Sequence, residues 1–329
     1  MLAVAKQNNM LPWIMGLREI DDLEIREDVL LAPMGSFRIG GPADVLVSPQ
    51  TPESVAGLQG FVRREQLPLT VLGGGTNVLI GDLGIRGVVV DLSAGFNFLH
   101  EEELNEQSVA WHVGAGCGTG RIVRRSVTKG LLGAHVLAGV PGSMGGALIM
   151  NAGGHEGEIG DVVDCVQVAQ AGKVHWLSQE ECGFSYRNSK FPEEAIVLSA
   201  KLHLKKTVND DLRETVSCAQ KRRKSTQPLQ KPNAGSIFKN PEGAYAGQLI
   251  EESGCKGWTE GQAQVSPLHA NFIVNLGGAT AAQVLTLVER VRKQVVSVHG
   301  VTLHMEVKLL GDFGPELNAL KGELIDGGK

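Results

Sequence analysis

The pattern of apolar and polar positions divides the chain into three stretches. Thr51-Pro52-Glu53 offers an N-cap, a proline at the first helical position and an acid in the first turn, and predicts a helix to about Glu65. Apolar runs at 43–47, 68–72, 78–80 and 87–92 read as short strands around that helix, making a small α/β unit. From about Ser93 the strand candidates lengthen to 109–113, 162–169, 173–177 and 195–204, with one helix near 120–129, which predicts a second, α+β unit. A helix over 210–224 leads through Pro228 and Pro232 into a third unit. There the pattern predicts a short helix at 246–253, a strand at 270–275 and a long helix from Thr280.

In the long helix, Val284, Val288, Val291, Val295 and Val298 recur at spacings of four and three, so one face is apolar, and Gly300 ends it. Beyond it Val301, Leu303, Met305, Val307 and Leu309 alternate with Thr302, His304, Glu306 and Lys308. That is the period of a strand with one buried and one polar face.

Composition narrows the function classes. A length of 329 residues with 42% hydrophobic content suffices for two or three domains. A net charge of -5, with one short basic run at Lys221–Lys224, gives no field for a nucleic-acid partner. No stretch is long and apolar enough for a membrane span, and residues 1–22, broken by Gln7, Asn8, Asn9 and Pro12, lack a signal-peptide core. The expectation is a cytoplasmic protein. Five widely spaced cysteines without a CxxC pair read as reduced thiols, with no metal site. Against only 5% aromatics stand 43 glycines, clustered in loops between apolar runs, which suggests close approach of backbone to a ligand.

Two of those loops carry candidate chemistry. Gly73-Gly74-Gly75-Thr76-Asn77 can turn several backbone N–H groups toward one point, and Thr76 and Asn77 add side-chain donors, which suits a diphosphate. The loop runs into a strand and holds no P-loop lysine, so it is neither a Rossmann turn nor a P-loop; a tight structural turn is the alternative. Gly139 to Ala147 is a glycine-rich loop opening into a helix, which points free N–H groups at an anion, or else lets two elements cross closely. Two such loops favour one shared dinucleotide. Gly114 to Gly120 nearly matches G-x-G-x-x-G, with Thr119 in place of the last glycine, and reads as a strand-to-helix turn.

The segments FRIGGPAD (37–44), GGGTNVLI (73–80), GVPGSMGGALIMNAGG (139–154), FSYRNS (184–189), PNAGSIFKNP (232–241), AQVSPLHANFIVN (263–275) and HMEVKLLG (304–311) resemble, in order, the motifs of the UDP-N-acetylenolpyruvoylglucosamine reductase family. The resemblance covers the chain from about Val29 to Gly314. It implies a mixed α/β, α+β fold: a two-part FAD-binding domain of the vanillyl-alcohol-oxidase type and a C-terminal α+β substrate-binding domain. The expected division is 1–92 for the first FAD-binding subdomain, 93–208 with 303–329 for the second, and 209–302 for the UDP-sugar domain. The resemblance further implies a monomeric enzyme of peptidoglycan precursor synthesis, with FAD, NADPH as co-substrate and UDP-N-acetylenolpyruvoylglucosamine as substrate. Residues 73–82 contain no histidine or cysteine, so the flavin is expected to be non-covalent. No tyrosine-bearing insertion follows Phe238 to Pro241, which resembles the shorter of the family's two architectures.

The implied reaction adds a hydride to a double bond conjugated with a carboxylate, so the site needs a fixed cation for the developing charge and an acid for the far carbon. Arg187 matches the family's carboxylate-holding arginine, Ser236 its proton donor, and Glu306 the acid that polarises the intermediate or assists proton delivery. Read without the family, Arg187 is a surface-loop residue, Ser236 part of a turn, and Glu306 an exposed charge on an edge strand. Carried-over cofactor contacts are Gly73, Gly74, Gly75, Thr76, Asn77, Ser143, Gly145, Gly146 and Arg223; substrate contacts are Tyr186, Lys239, Asn240, Gln264 and Asn271. His155, where relatives often carry an aromatic nearby, reads as neither metal ligand nor acid–base group. Two other classes compete. A flavin oxidase acting on a small alcohol would not need the segment around Ser236, and a UDP-sugar-binding regulator without flavin would be colourless.

Overall fold

The computed structural model describes residues 12–154, 156–207 and 211–326, so the first eleven residues, His155 and the start of the predicted 210–224 helix lie outside it. The chain opens with a helical turn, α1 (Ile14–Leu17), and strands β1 (Leu23–Leu30) and β2 (Pro42–Pro49). Helix α2 (Pro52–Arg64) starts where the sequence signals place it. Thr51 Oγ1 accepts from the Ser54 amide, and Ser54 Oγ accepts from the Thr51 amide, a reciprocal cap. Strands β3 (Leu69–Leu72), β4 (Val78–Ile80) and β5 (Ile85–Asp91) follow. The sheet order is β1-β2-β5-β3, with β2, β5 and β3 parallel and β1 antiparallel on the edge. Both faces of β2 and β5 are buried: Val45, Val47, Val88 and Val90 pack on α2, while Leu46 and Val89 join Leu31, Leu72, Ile80 and Ile85. Burial on two sides is why these strands read as continuous apolar runs.

The second unit contains β6 (Leu99–Glu103), β7 (Ser108–Gly114), α3 (Thr119–Lys129), β8 (Leu131–Leu132), α4 (Met144–Ile149), β9 (Gly153–Gly154), β10 (Gly157–Glu158), β11 (Val163–Gln170), β12 (Lys173–Ser178) and β13 (Ile196–Lys206). Its antiparallel sheet runs β12-β11-β13-β7-β6, with β8 also paired to β13. The 114–120 near-match joins β7 to α3, the strand-to-helix turn expected from the sequence. Trp111, Val166, Leu198 and Leu202 share one core with α2, so the first two units are packed as one body. Gln59 of α2 adds a polar tie, its Nε2 donating to the carbonyls of Ala169 (3.0 Å) and Glu194 (2.8 Å).

Helix α5 (Asp211–Thr226) packs on the second unit, its Leu212 and Val216 sharing that core, so 211–226 lie there and not with the expected 209–302 unit. The third unit holds α6 (Ala246–Glu252), β14 (Thr259–Glu260), β15 (Ala263–Val265), β16 (Ile273–Asn275), α7 (Ala281–His299), β17 (Lys308–Leu310) and α8 (Pro315–Asp326). On α7 the predicted face buries Val284, Val288, Val291 and Val295, but Val298 is 50% exposed because the helix end runs past the core. The alternating segment 301–309 is a strand only at its end. Earlier residues bond instead across to the 237–239 stretch: the Glu306 amide donates to the Ile237 carbonyl, and the Lys239 amide to that of His304. β17 pairs in parallel with β4 of the first unit, and Leu303, Val307, Leu309, Phe313 and Leu324 pack with the α7 core. Residues 303–324 therefore join the first and third units, which differs from the expected grouping with 93–208; the unpaired edge of β4 is what they cover.

Candidate active site

A cavity of about 2110 Å³ lies where the three units meet, roughly twice the upper end of a drug-sized pocket of ~1,000 Å³, so it has room for two ligands. Both glycine loops line it. They touch each other backbone to backbone: a Cβ on Gly74 would sit 2.7 Å from Gly142 Cα and 3.0 Å from the Ser143 amide nitrogen, so that position tolerates no side chain. Ser143 caps α4, its Oγ accepting from the Gly146 amide.

The donor set fits a bound diphosphate. Among the described residues none accepts a hydrogen bond from the amides of Gly74, Gly75 or Thr76. A Cβ on Gly146 would meet only Ser143 Oγ at 3.7 Å, which leaves open space beside the loop for a cofactor to approach. The side chains of Thr76 and Asn77 are engaged elsewhere, with Thr76 Oγ1 donating to the Pro141 carbonyl (3.2 Å) and Asn77 Nδ2 to the Glu306 carbonyl (3.1 Å). Asn77 thus ties the first loop to the segment bearing Glu306, and the donors of that loop left to face an anion are its amides. Arg223 lines the same cavity, and its half-buried guanidinium donates to the Gly139 carbonyl and to Gln227 Oε1 (2.7 Å). Burial lowers its pKa, so a nearby anion would be favoured there.

Arg187, Ser236 and Glu306 all line this cavity although they come from segments 49 and 70 positions apart. Arg187 Nε lies 3.5 Å from Glu306 Oε1, with side chains 24% and 20% exposed, and its Nη2 donates to the Gly153 carbonyl (3.2 Å). Its guanidinium stacks over the Tyr186 ring at 5.4 Å. Burial pushes the Glu306 carboxyl up from its ordinary value, opposed by the charges of Arg187 and then Lys239. Lys308 lines the cavity too, held below the usual lysine range by burial and by Lys239. Ser236 follows Gly235, which has φ +80°, and bridges Phe272; the next residue's carbonyl receives the Glu306 amide, so serine and glutamate share one hydrogen-bonded crossing.

The remaining carried-over residues divide. Asn240 lines the cavity while its Oδ1 accepts from the Ala246 amide at the start of α6. Tyr186 is 56% exposed beside Arg187. Lys239 acts on the site through charge, and Gln264 sits in β15. Asn271 is 3% exposed and turned onto Phe238, accepting from its amide (2.9 Å) and donating to its carbonyl (2.8 Å), which fixes the segment bearing Ser236.

Sequence reasoning missed three residues that assemble the site. Ser36 Oγ donates to the Asn233 carbonyl (2.7 Å) and to that of Gly75 (3.3 Å), joining the first glycine loop to the serine segment. Asp82 accepts from the Ala281 (2.8 Å) and Ala282 (3.0 Å) amides at the start of α7. Asn151, directly beyond α4, is buried among the residues that carry Arg187. Only Asn151 had a local signal, an asparagine after a helix end, where a left-handed backbone is common.

The chain resembles known proteins over most of its length. The family model for the C-terminal domain of UDP-N-acetylenolpyruvoylglucosamine reductase matches residues 227–310, and that for an FAD binding domain matches residues 43–178. The UDP-N-acetylenolpyruvoylglucosamine reductase of Myxococcus xanthus is 42% identical, covering 88% of this chain and 93% of its own. That of Bacillus velezensis is 39% identical, with 91% and 98% covered. The crystal structure of the corresponding reductase from Thermus caldophilus matches with a TM-score of 0.75 at 36% identity, over 88% of this chain and 98% of that one.

Proposed function

Because the chain belongs to the UDP-N-acetylenolpyruvoylglucosamine reductase family, we propose that Arg187, Glu306 and Ser236 form the site at which it reduces that substrate to UDP-N-acetylmuramate through bound FAD with NADPH. The chain is an FAD-dependent oxidoreductase of peptidoglycan synthesis. When bound, FAD supplies two-electron storage between NADPH and the enolpyruvyl double bond. The observation that carries the assignment is the convergence of the Arg187–Glu306 pair and Ser236 on the cavity lined by both glycine loops.

The residues' tasks follow from their surroundings. Arg187, with Nε toward Glu306 and one terminal nitrogen on Gly153, leaves its other terminal nitrogen for the substrate carboxylate. Ser236 holds a proton for the carbon that becomes basic as charge develops, and its fixed place between Gly235 and the Phe272 bridge supplies the orientation that a weak acid needs. Glu306, kept protonated to higher pH than an exposed carboxyl, is assigned the task of replenishing that proton. The free amides of Gly74 to Thr76, the open side of Gly146 and Arg223 would hold the FAD diphosphate. Asn240 on the cavity wall, Lys239 through its charge on Glu306, and Tyr186 under the Arg187 guanidinium support assigning these three to the UDP-sugar.

All catalytic groups lie on one chain, so a monomer suffices for the reaction. All five cysteines are unpaired, which supports a reducing, cytoplasmic setting, and burial pushes Cys182 and Cys255 up to about 11, which leaves those two thiols inert. Among the described residues no helix is long and apolar enough to cross a membrane. The test is anaerobic mixing of the NADPH-reduced holoenzyme with UDP-N-acetylenolpyruvoylglucosamine. Return of the oxidised flavin spectrum, lost when Arg187 is replaced by alanine, is the expected result; no return with the unaltered enzyme would refute the function.

A further inference from the structure

We propose that Asn151 is a positioning residue for Arg187, fixing the guanidinium opposite Glu306 from the exit of the glycine-rich helix; this rests on the role given to Arg187 above. Asn151 is 3% exposed, with φ +42°, in the left-handed region that asparagine tolerates better than most residues. Both of its polar atoms are engaged. Oδ1 accepts from the Gly160 amide (2.9 Å), while Nδ2 donates to the Ser185 carbonyl (3.1 Å) and to Glu158 Oε2 (2.6 Å).

Ser185 opens a turn closed in both directions, its amide donating to the Asn188 carbonyl and the Asn188 amide to its own, each at 3.0 Å. Arg187 lies inside that turn at φ +53°, a conformation that costs an ordinary residue on the order of 1–3 kcal/mol and persists only when its surroundings impose it. Those surroundings are residues 149–153. Besides the Asn151 bond, Ser189 Oγ donates to the Ile149 carbonyl (2.7 Å), and Arg187 Nη2 to that of Gly153 (3.2 Å). The same short stretch that leaves the flavin loop through α4 therefore sets the arginine. Removing the Asn151 side chain strips the Ser185 carbonyl of this donor, letting the turn relax and the guanidinium drift from Glu306.

Two variants of the holoenzyme test this. Asn151→Gly keeps the left-handed backbone and deletes the side chain. Asn151→Asp keeps an acceptor for the Gly160 amide but turns an oxygen toward the Ser185 carbonyl and Glu158. In both, flavin content and flavin reduction by NADPH are expected to stay within about twofold, while reoxidation by the enolpyruvyl UDP-sugar slows on the order of tenfold to a hundredfold, the cost of a displacement near 1 Å. The pH limb set by Glu306 is expected to move upward. Of the cations facing it, Arg187 opposes burial most and would recede, while Lys239 stays and Lys308 remains on the same cavity wall. Combined with Arg187→Lys, the Asn151 change should add little further loss, because both act through one group.

Equal slowing of both half-reactions, multiplying losses in the double variant, or an unmoved pH limb would overturn the proposal. So would loss of flavin from both variants, since the residue would then serve the loop alone. If Arg187→Lys by itself reoxidises as fast as the parent, the assignment of Arg187 fails, and that is seen before any Asn151 variant is read.

Discussion

Replacing Asp82 should loosen the joint between the first and third units. Its carboxylate, in the turn between β4 and β5, accepts from the Ala281 and Ala282 amides at 2.8 and 3.0 Å, while Thr280, the residue capping the helix, serves the Gln283 amide. A capping side chain contributes about 1 kcal/mol. The negative charge at the helix N-terminus adds a few tenths more. Water reaches Asp82, so the estimate stays near 1.5 kcal/mol for Asp82→Ala and about half that for Asp82→Asn, which retains one acceptor oxygen. Hydrogen exchange read on a peptide spanning 279–287 checks it. At about 1.4 kcal/mol per factor of ten, the Ala281 and Ala282 amides should exchange roughly tenfold faster in Asp82→Ala and about threefold faster in Asp82→Asn. Globally, an unfolding entropy of about 2.1 cal/mol/K per residue translates the same loss into a melting temperature lower by ~2 °C. Unchanged exchange at those two amides would show that the carboxylate does not hold the joint, whatever happens to the melting temperature.

Ser236→Ala should leave flavin reduction by NADPH nearly intact and slow reoxidation by the enolpyruvyl sugar by orders of magnitude in stopped-flow measurements; equal loss in both halves would argue against its role as proton donor. Glu306→Gln should remove the upper pH limb of the oxidative half-reaction. Because the folded carboxyl titrates above its unfolded value, the parent loses stability as pH rises from the unfolded value through the raised one, and Glu306→Gln, followed by denaturant melts across that window, should not. Gly74→Ala would place a methyl 2.7 Å from Gly142 Cα and force the two loops apart, so FAD affinity measured by fluorescence should fall by at least tenfold while the secondary structure seen by circular dichroism stays.

Much of the fold could be read from local chemistry. The Thr51-Pro52 start of α2 and the valine stripe of α7 are each decided within a few residues, and the structure places both where the sequence does. Strands β1 and β6 escaped because polar residues dominate them: Leu23–Leu30 lies on a sheet edge with charges on both faces, and Leu99–Glu103 carries three glutamates. Glu101 has a partner in Trp111 Nε1 (2.8 Å) and in Lys129 (2.6 Å), contacts that no local pattern encodes. The final strand was overestimated because its alternation is real while its partners are not all strands. Leu303 and Val307 are buried, yet the backbone between them bonds to the 237–239 crossing. At the site, the family motifs supplied the residue names, and the structure supplied the contacts between them. Asn151, Ser36 and Asp82 reach partners 34 to 200 positions away, distances over which a single sequence shows no coupling.

The pairing of β17 with β4 joins residues about 230 positions apart, and that separation governs when the enzyme becomes competent during synthesis. At about 5–20 residues per second, the ribosome releases the partner of Val78–Ile80 tens of seconds after that strand emerges. A nascent chain that already displays both glycine loops still lacks Glu306 and the wall beside it. A polypeptide that stops short of β17 cannot complete the chamber, so hydride delivery is confined to molecules in which that strand has been made and paired.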